Sequence, residues 1–181
     1  MHKLYLIIGW QENINSSNYQ ELIKSVEKRY EVVHVDLQEK DHDLFSVLMD
    51  RARKQIVGDT SKDIILGFSI GALVAWQLAG EYKFKKMIAC SISSILEGDL
   101  DLYPQEEVNK IFTPEQIKDL SQTKYAKPLC PTLLLYGSEE TKEVIKQSEK
   151  LSKKFNGTLL KINGAKHDLS GDYLKEVKRI I

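Results

Sequence analysis

Short apolar runs along the chain alternate with longer segments whose apolar residues recur every three or four positions. The short runs predict six strands, at residues 4–8, 31–37, 63–68, 86–91, 132–136 and 158–162. The longer segments predict helices at residues 19–30, 44–56, 70–80, 141–155 and 168–181. Strands that are apolar on both faces and separated by helices indicate an α/β protein, with a mostly parallel six-stranded sheet between two layers of helices.

The order of the strands across the sheet follows from the handedness of their connections. Right-handed crossovers leave few topologies, and the common ones place strand 1 beside strand 3 with strand 2 outside. The loops after strands 1 and 3 then diverge and open a crevice at the carboxyl edge of the sheet. A length of 181 residues suits one domain, and we expect residues 1–181 to form it.

The connection between the fourth and fifth predicted strands is longer than an ordinary strand-to-strand connection. Residues 95–127 follow the fourth strand, and within them Thr113-Pro114-Glu115 is typical of a helix start with proline at the first helical position. Because the segment leaves the carboxyl end of a strand, we expect it to be a lid-like insertion that covers the crevice with one or two short helices. A structural excursion packed on the edge of the sheet is the alternative.

The balance of charged residues indicates which kinds of binding partner to expect. Lys and Arg together number 26, as do Asp and Glu, so the net charge is zero and neither nucleic acid nor a membrane is expected as a partner. The two cysteines, Cys90 and Cys130, are far apart in the sequence and indicate reduced thiols in a cytoplasmic protein. The apolar run before Gln11 is too short for a signal peptide with its cleavage site, and we expect it to be the first strand.

The third predicted strand ends in Gly67-Phe68-Ser69-Ile70-Gly71, and the next helix follows at once. A turn this tight leaves no room for a Cβ atom at either glycine and holds Ser69 in a strained conformation. The hydroxyl then lies beyond the sheet at the positive end of a helix, where developing negative charge is stabilised. We interpret Ser69 as a nucleophile; a bare tight turn between a strand and a helix is the alternative.

A serine nucleophile needs a base and a third group that orients the base. His167 follows the last strand in a glycine-containing loop at the same sheet edge as Ser69, and we expect it to be the base rather than a histidine at a helix start. Glu139 and Glu140 follow the fifth strand at that edge, so one of them can orient His167. Both are also suited to the first turn of the next helix, and the residues alone do not distinguish these roles.

Gly-x-Ser-x-Gly, then an acid after the penultimate strand, then a histidine after the last strand resembles the α/β-hydrolase superfamily. The resemblance covers nearly the whole chain, without the two leading antiparallel strands of that family. It implies that Glu140, three residues after Gly137, is the acid, where the family normally has aspartate. It also implies that the backbone N–H groups of Trp10 and Ile70 form the oxyanion hole, although Ile8 stands where many members have histidine.

By this resemblance the chain is similar to a small carboxylesterase or thioesterase. Ser69 is then expected to attack an ester or thioester carbonyl with His167 as the general base, with no metal or organic cofactor. A short lid favours small or medium acyl chains. Four residues are expected to bind the substrate from the sheet side and from the lid: Trp10, Phe68, Ile111 and Phe112. A non-catalytic small-molecule binding protein and an acyltransferase with the same three residues are the alternatives.

Overall fold

Six parallel strands form the centre of the fold in the structure, a computed structural model that describes residues 1–181. In chain order they are β1 (His2–Ile7), β2 (Tyr30–His34), β3 (Ile64–Phe68), β4 (Lys86–Cys90), β5 (Thr132–Gly137) and β6 (Thr158–Ile162). Their order across the sheet is β2-β1-β3-β4-β5-β6, and every neighbouring pair is parallel. The predicted α/β fold is confirmed, and so is the place of strand 1 between strands 2 and 3.

Helices cover both faces of the sheet and bury a separate apolar core on each. On one face lie α1 (Ser17–Val26) and α7 (Gly171–Ile180), which pack against each other. The other face carries α2 (Phe45–Arg53), α3 (Ile70–Glu81) and α6 (Lys142–Phe155). Alternation along β3 divides its side chains between the two cores, with Leu66 and Phe68 towards α1 and α7 and Ile65 towards α3. None of the helices is both long enough and apolar enough to cross a lipid bilayer.

Four predicted boundaries lie three or four residues from the observed ones. The first helix ends at Val26 rather than at residue 30, because Tyr30 belongs to β2, and the second helix ends at Arg53 rather than at residue 56. The second strand ends at His34 rather than at residue 37, because its partner β1 ends at Ile7. Val35 and Leu37 are nevertheless buried, so the apolar pattern continues after the pairing has stopped. The last helix begins at Gly171 rather than at residue 168, since the preceding residues form a turn in which the Ser170 hydroxyl donates to Asp168.

The segment 95–127 contains a 3₁₀ turn (Asp99–Leu102) and two helices, α4 (Gln105–Ile111) and α5 (Pro114–Gln122). The predicted helix start at Thr113 is confirmed: its hydroxyl accepts from the Gln116 N–H, and the Gln116 side chain accepts from the Thr113 N–H at 2.9 Å. Val108 and Leu120 are buried in the same core as α3. The segment therefore packs on the α2–α3 side of the sheet.

Candidate active site

The turn between β3 and α3 holds Ser69 in a conformation that most residues avoid, with φ of 56° and ψ of −119°. A Cβ atom on Gly67 would lie 2.1 Å from the carbonyl oxygen of Gly71. A Cβ atom on Gly71 would lie 2.4 Å from the carbonyl oxygen of Ile7. The predicted need for glycine at both positions is confirmed, because any other residue would displace backbone.

Three side chains from three different strand ends meet beside this turn. The Nε2 atom of His167 lies 3.0 Å from the Ser69 Oγ atom, and its Nδ1 atom lies 2.6 Å from Oε2 of Glu140. Glu139 instead has an exposed side chain, and its backbone N–H donates to the carbonyl oxygen of Ala165. Of the two candidate acids, the structure brings Glu140 to His167.

The Glu140 carboxylate is buried and has partners on both of its oxygens. Its Oε1 atom accepts from the Ser91 hydroxyl and from the backbone N–H of Gly137, at 3.4 Å in the latter case. The Tyr173 hydroxyl lies 2.9 Å from Ser91 Oγ and donates to the carbonyl oxygen of Leu135. These donors stabilise an ionised carboxylate in a buried position. Neither Ser91 nor Tyr173 was predicted, since no local motif marks them.

Glu140 sets the electrostatics of His167. The hydrogen bond to Glu140 raises the pKa of His167 above its ordinary value, against the opposing effect of partial burial. An ionised carboxylate can only accept, so the proton of a neutral imidazole lies on Nδ1 and leaves Nε2 as the acceptor that faces Ser69. The arrangement can therefore take a proton from the serine hydroxyl.

The loop after β1 approaches the serine from the other side. A Cβ atom on Gly9 would lie 3.3 Å from the Cβ atom of Ser69. The Glu12 carboxylate holds this loop by accepting from the Gly9 N–H at 2.6 Å and from the Tyr19 hydroxyl. The backbone N–H groups of Trp10 and of Ile70, the residue after the serine, have no acceptor within the chain. Both amides are thus available to a bound group.

A cavity of about 270 Å³ opens at Ser69, and its walls are mostly apolar. The lid-like segment supplies more than half of the lining residues, including Tyr103, Ile111 and Phe112. The Trp10 and Phe112 rings stack with their centroids 6.0 Å apart, which joins the β1 loop to the segment. Of the four residues expected to bind substrate, Trp10, Ile111 and Phe112 line this cavity.

Phe68 does not line the cavity, which corrects the expectation that it bounds the substrate pocket. Its side chain is 1% exposed and lies in the core formed with α1 and α7. There its ring centroid is 5.3 Å from that of His167, and it also meets the ring of Tyr173 edge-on. Phe68 faces the side of the sheet opposite residues 95–127, and from there it contacts the imidazole ring.

A second serine, Ser93, also contacts Ser69. It follows β4, and its Oγ atom lies 3.2 Å from Ser69 Oγ at the wall of the cavity. No local motif marks Ser93, because its approach to Ser69 depends on the pairing of β3 with β4.

Comparison of the sequence with family models and with curated proteins gives no match. Solved structures do match across nearly the whole chain. Est1E from Butyrivibrio proteoclasticus has a TM-score of 0.73 at 18% identity, covering 99% of this chain and 85% of its own. MGS-MChE2, an alpha/beta hydrolase enzyme from the metagenome of lagoon sediments at Mar Chica, Morocco, has a TM-score of 0.71 at 15% identity, with coverage of 99% and 89%.

A third similar structure, the monoacylglycerol lipase of Paleococcus ferrophilus, has a TM-score of 0.69 at 16% identity and covers 98% of this chain and 91% of its own. At sequence identities this low, the similarity is one of backbone structure, and it covers 98% or more of this chain. The chain has the α/β-hydrolase fold.

Proposed function

We propose that the protein is a serine hydrolase that cleaves a small or medium-chain carboxylic ester or thioester. One observation carries the proposal: an unbroken series of hydrogen bonds runs from Glu140 through His167 to Ser69. Such a series activates a serine, because the base is in reach of the hydroxyl and the acid fixes the tautomer of the base. The names of similar structures, which include a hydrolase enzyme and a lipase, agree with this class of reaction.

In the proposed acylation step, Ser69 Oγ attacks the carbonyl carbon while His167 Nε2 takes the serine proton. Glu140 stabilises the imidazolium that forms. The tetrahedral intermediate collapses, and the leaving alcohol or thiol takes the proton from Nε2. Water then attacks the acyl-enzyme while His167 Nε2 takes its proton, and Ser69 leaves as the carboxylic acid is released. The backbone N–H groups of Trp10 and Ile70, which have no other acceptor, are the proposed donors to the oxyanion.

The cavity supports a limit on the size of the substrate. Its volume of about 270 Å³ lies below the usual range of roughly 300–1,000 Å³ for ligand pockets. We therefore propose acyl chains from acetyl to about octanoyl, with residues 95–127 acting as the lid above them. Within that lid, Ile111 and Phe112 would contact the acyl chain.

Hydrolysis of p-nitrophenyl acetate and butyrate tests the proposal. Ser69→Ala should lower kcat/KM by about 10³-fold or more, while Ser25→Ala, on the exposed side of α1, should leave it within about twofold. Activity of the Ser69→Ala variant equal to that of the wild type would contradict the nucleophile. A wild type that hydrolyses neither these esters nor acyl-CoA thioesters would favour the non-catalytic binding protein. Transfer of the acyl group to an added alcohol in preference to water would favour the acyltransferase.

A further inference from the structure

Ser93 is the group beside the nucleophile that the proposed mechanism does not use. Its Oγ atom lies 3.2 Å from Ser69 Oγ, and the residue is half-buried in the wall of the catalytic cavity. Ser69 Oγ therefore has two partners, His167 Nε2 at 3.0 Å and the Ser93 hydroxyl.

The available protons determine the direction of this contact. The ionised Glu140 accepts from His167 Nδ1, so Nε2 carries no proton and must accept. The Ser69 hydroxyl has one proton, which it donates in the hydrogen bond to His167 Nε2. The hydrogen bond between the two serines must then be donated by Ser93 and accepted by Ser69 Oγ.

A donor to Ser69 Oγ affects the two halves of the reaction unequally, because Oγ begins one half as a hydroxyl oxygen and the other half as an ester oxygen. In the resting enzyme, the hydroxyl oxygen donates its hydrogen bond to His167 and is a good acceptor. It remains a good acceptor in the acylation transition state, where it carries part of the negative charge while it bonds to the carbonyl carbon. The Ser93 hydrogen bond is therefore similar in strength in both states and changes the acylation barrier little.

In the acyl-enzyme, Oγ is the alkoxy oxygen of an ester, whose lone pair is delocalised and accepts weakly. Water attack removes that delocalisation, and Oγ gains negative charge as its bond to carbon breaks. A donor already within 3.2 Å stabilises this developing charge.

We propose that Ser93 is a catalytic residue of deacylation, an inference that rests on the proposed function. In that step the oxygen of water bonds to the acyl carbon while His167 Nε2 takes a proton from the water. The bond between the acyl carbon and Ser69 Oγ then breaks, and Oγ takes the proton from Nε2. Throughout, the Ser93 hydroxyl donates to Oγ and keeps its own proton.

Pre-steady-state hydrolysis of p-nitrophenyl acetate separates the two halves. The first release of p-nitrophenolate reports acylation, and the later linear phase reports turnover of the acyl-enzyme. In Ser93→Ala we expect acylation within about twofold of the wild-type rate, with deacylation slower by about five- to tenfold. Intact mass measured during turnover should show more acetylated protein in the variant than in the wild type.

Two controls distinguish this effect from a general disturbance of the site. Ser93→Thr keeps the hydroxyl and should restore deacylation to within about twofold, and Ser25→Ala should change neither phase. Equal losses in both phases, a loss confined to acylation, or rates identical to the wild type would each overturn the role of Ser93. Failure of the proposed function looks different, because the wild type itself would then form no acetyl adduct on Ser69 and release no p-nitrophenolate.

Discussion

Replacing Glu140 with glutamine removes the charge that faces His167 and almost preserves the shape of the side chain. The Nδ1–Oε2 distance is 2.6 Å. Two opposite charges centred about 4 Å apart attract by about 4 kcal/mol at an effective dielectric constant near 20. Hydrogen bonds from Ser91 and Gly137 spread the carboxylate charge, so we take about 2–4 kcal/mol as the stabilisation of the imidazolium. Loss of this stabilisation should lower kcat/KM by about 30- to 1,000-fold.

The neighbouring acid provides a matched control. Glu139 is exposed, its side chain makes no hydrogen bond, and its backbone N–H still donates to Ala165 when glutamine replaces it. Glu139→Gln should therefore keep kcat/KM for p-nitrophenyl acetate within about twofold of the wild type. Thermal unfolding of both variants checks that each is folded. A larger loss from Glu139→Gln than from Glu140→Gln would refute the assignment, and full activity in both would show that His167 works without a carboxylate.

Three further predictions follow from the geometry. His167 must be neutral to accept a proton, so kcat/KM should rise with pH through the pKa of His167. Because Glu140 raises that pKa, the midpoint of this rise should lie above the ordinary histidine pKa of about 6.5. Phe112→Ala should shift the preference in kcat/KM among p-nitrophenyl esters towards longer acyl chains. The ring lies between the cavity and a small apolar pocket, and its removal would let a chain extend into that pocket. An unchanged preference would mean that the ring does not limit chain length. Gly71→Ala should lower the free energy of unfolding by about 3 kcal/mol or more in urea titrations, because the added Cβ would meet the backbone of Ile7. Gly58→Ala, where the space is open and only the positive φ opposes alanine, should lower it by about 1 kcal/mol. Similar losses in the two variants would contradict the close contact with Ile7.

The residues that could be located from sequence share one property. Ser69, Glu140 and His167 lie one, three and five residues beyond the ends of β3, β5 and β6, and all parallel strands end at one edge of the sheet. The parallel direction of the predicted strands was therefore enough to place all three residues at the same edge, whereas the order of β4, β5 and β6 across the sheet was not predicted. The choice between Glu139 and Glu140 needed the family resemblance, because adjacent side chains point in different directions and the pattern does not say which one faces the histidine.

What could not be predicted depends on contacts between distant elements. Phe68 was expected in the pocket because it adjoins Ser69, yet residues 95–127 pack on the α2–α3 side while Phe68 faces α1 and α7. Ser91 and Ser93 bear on the site only because β4 lies between β3 and β5. Tyr173 reaches Ser91 from the last helix, 82 positions along the chain. No local spacing carries such information, since it arises from the packing of completed elements.

Ser69 is proposed to be an activated nucleophile, and its reaction with a fluorophosphonate probe is the direct test of that proposal. Only a serine with a working base reacts at a useful rate, because the phosphorus must be attacked by a deprotonated oxygen. We expect one adduct per chain by intact mass, mapped to the peptide that contains Ser69. The adduct should be absent in Ser69→Ala and His167→Ala variants that unfold at the wild-type temperature. A wild type that stays unmodified, or an adduct that maps to another residue and persists in Ser69→Ala, would contradict it.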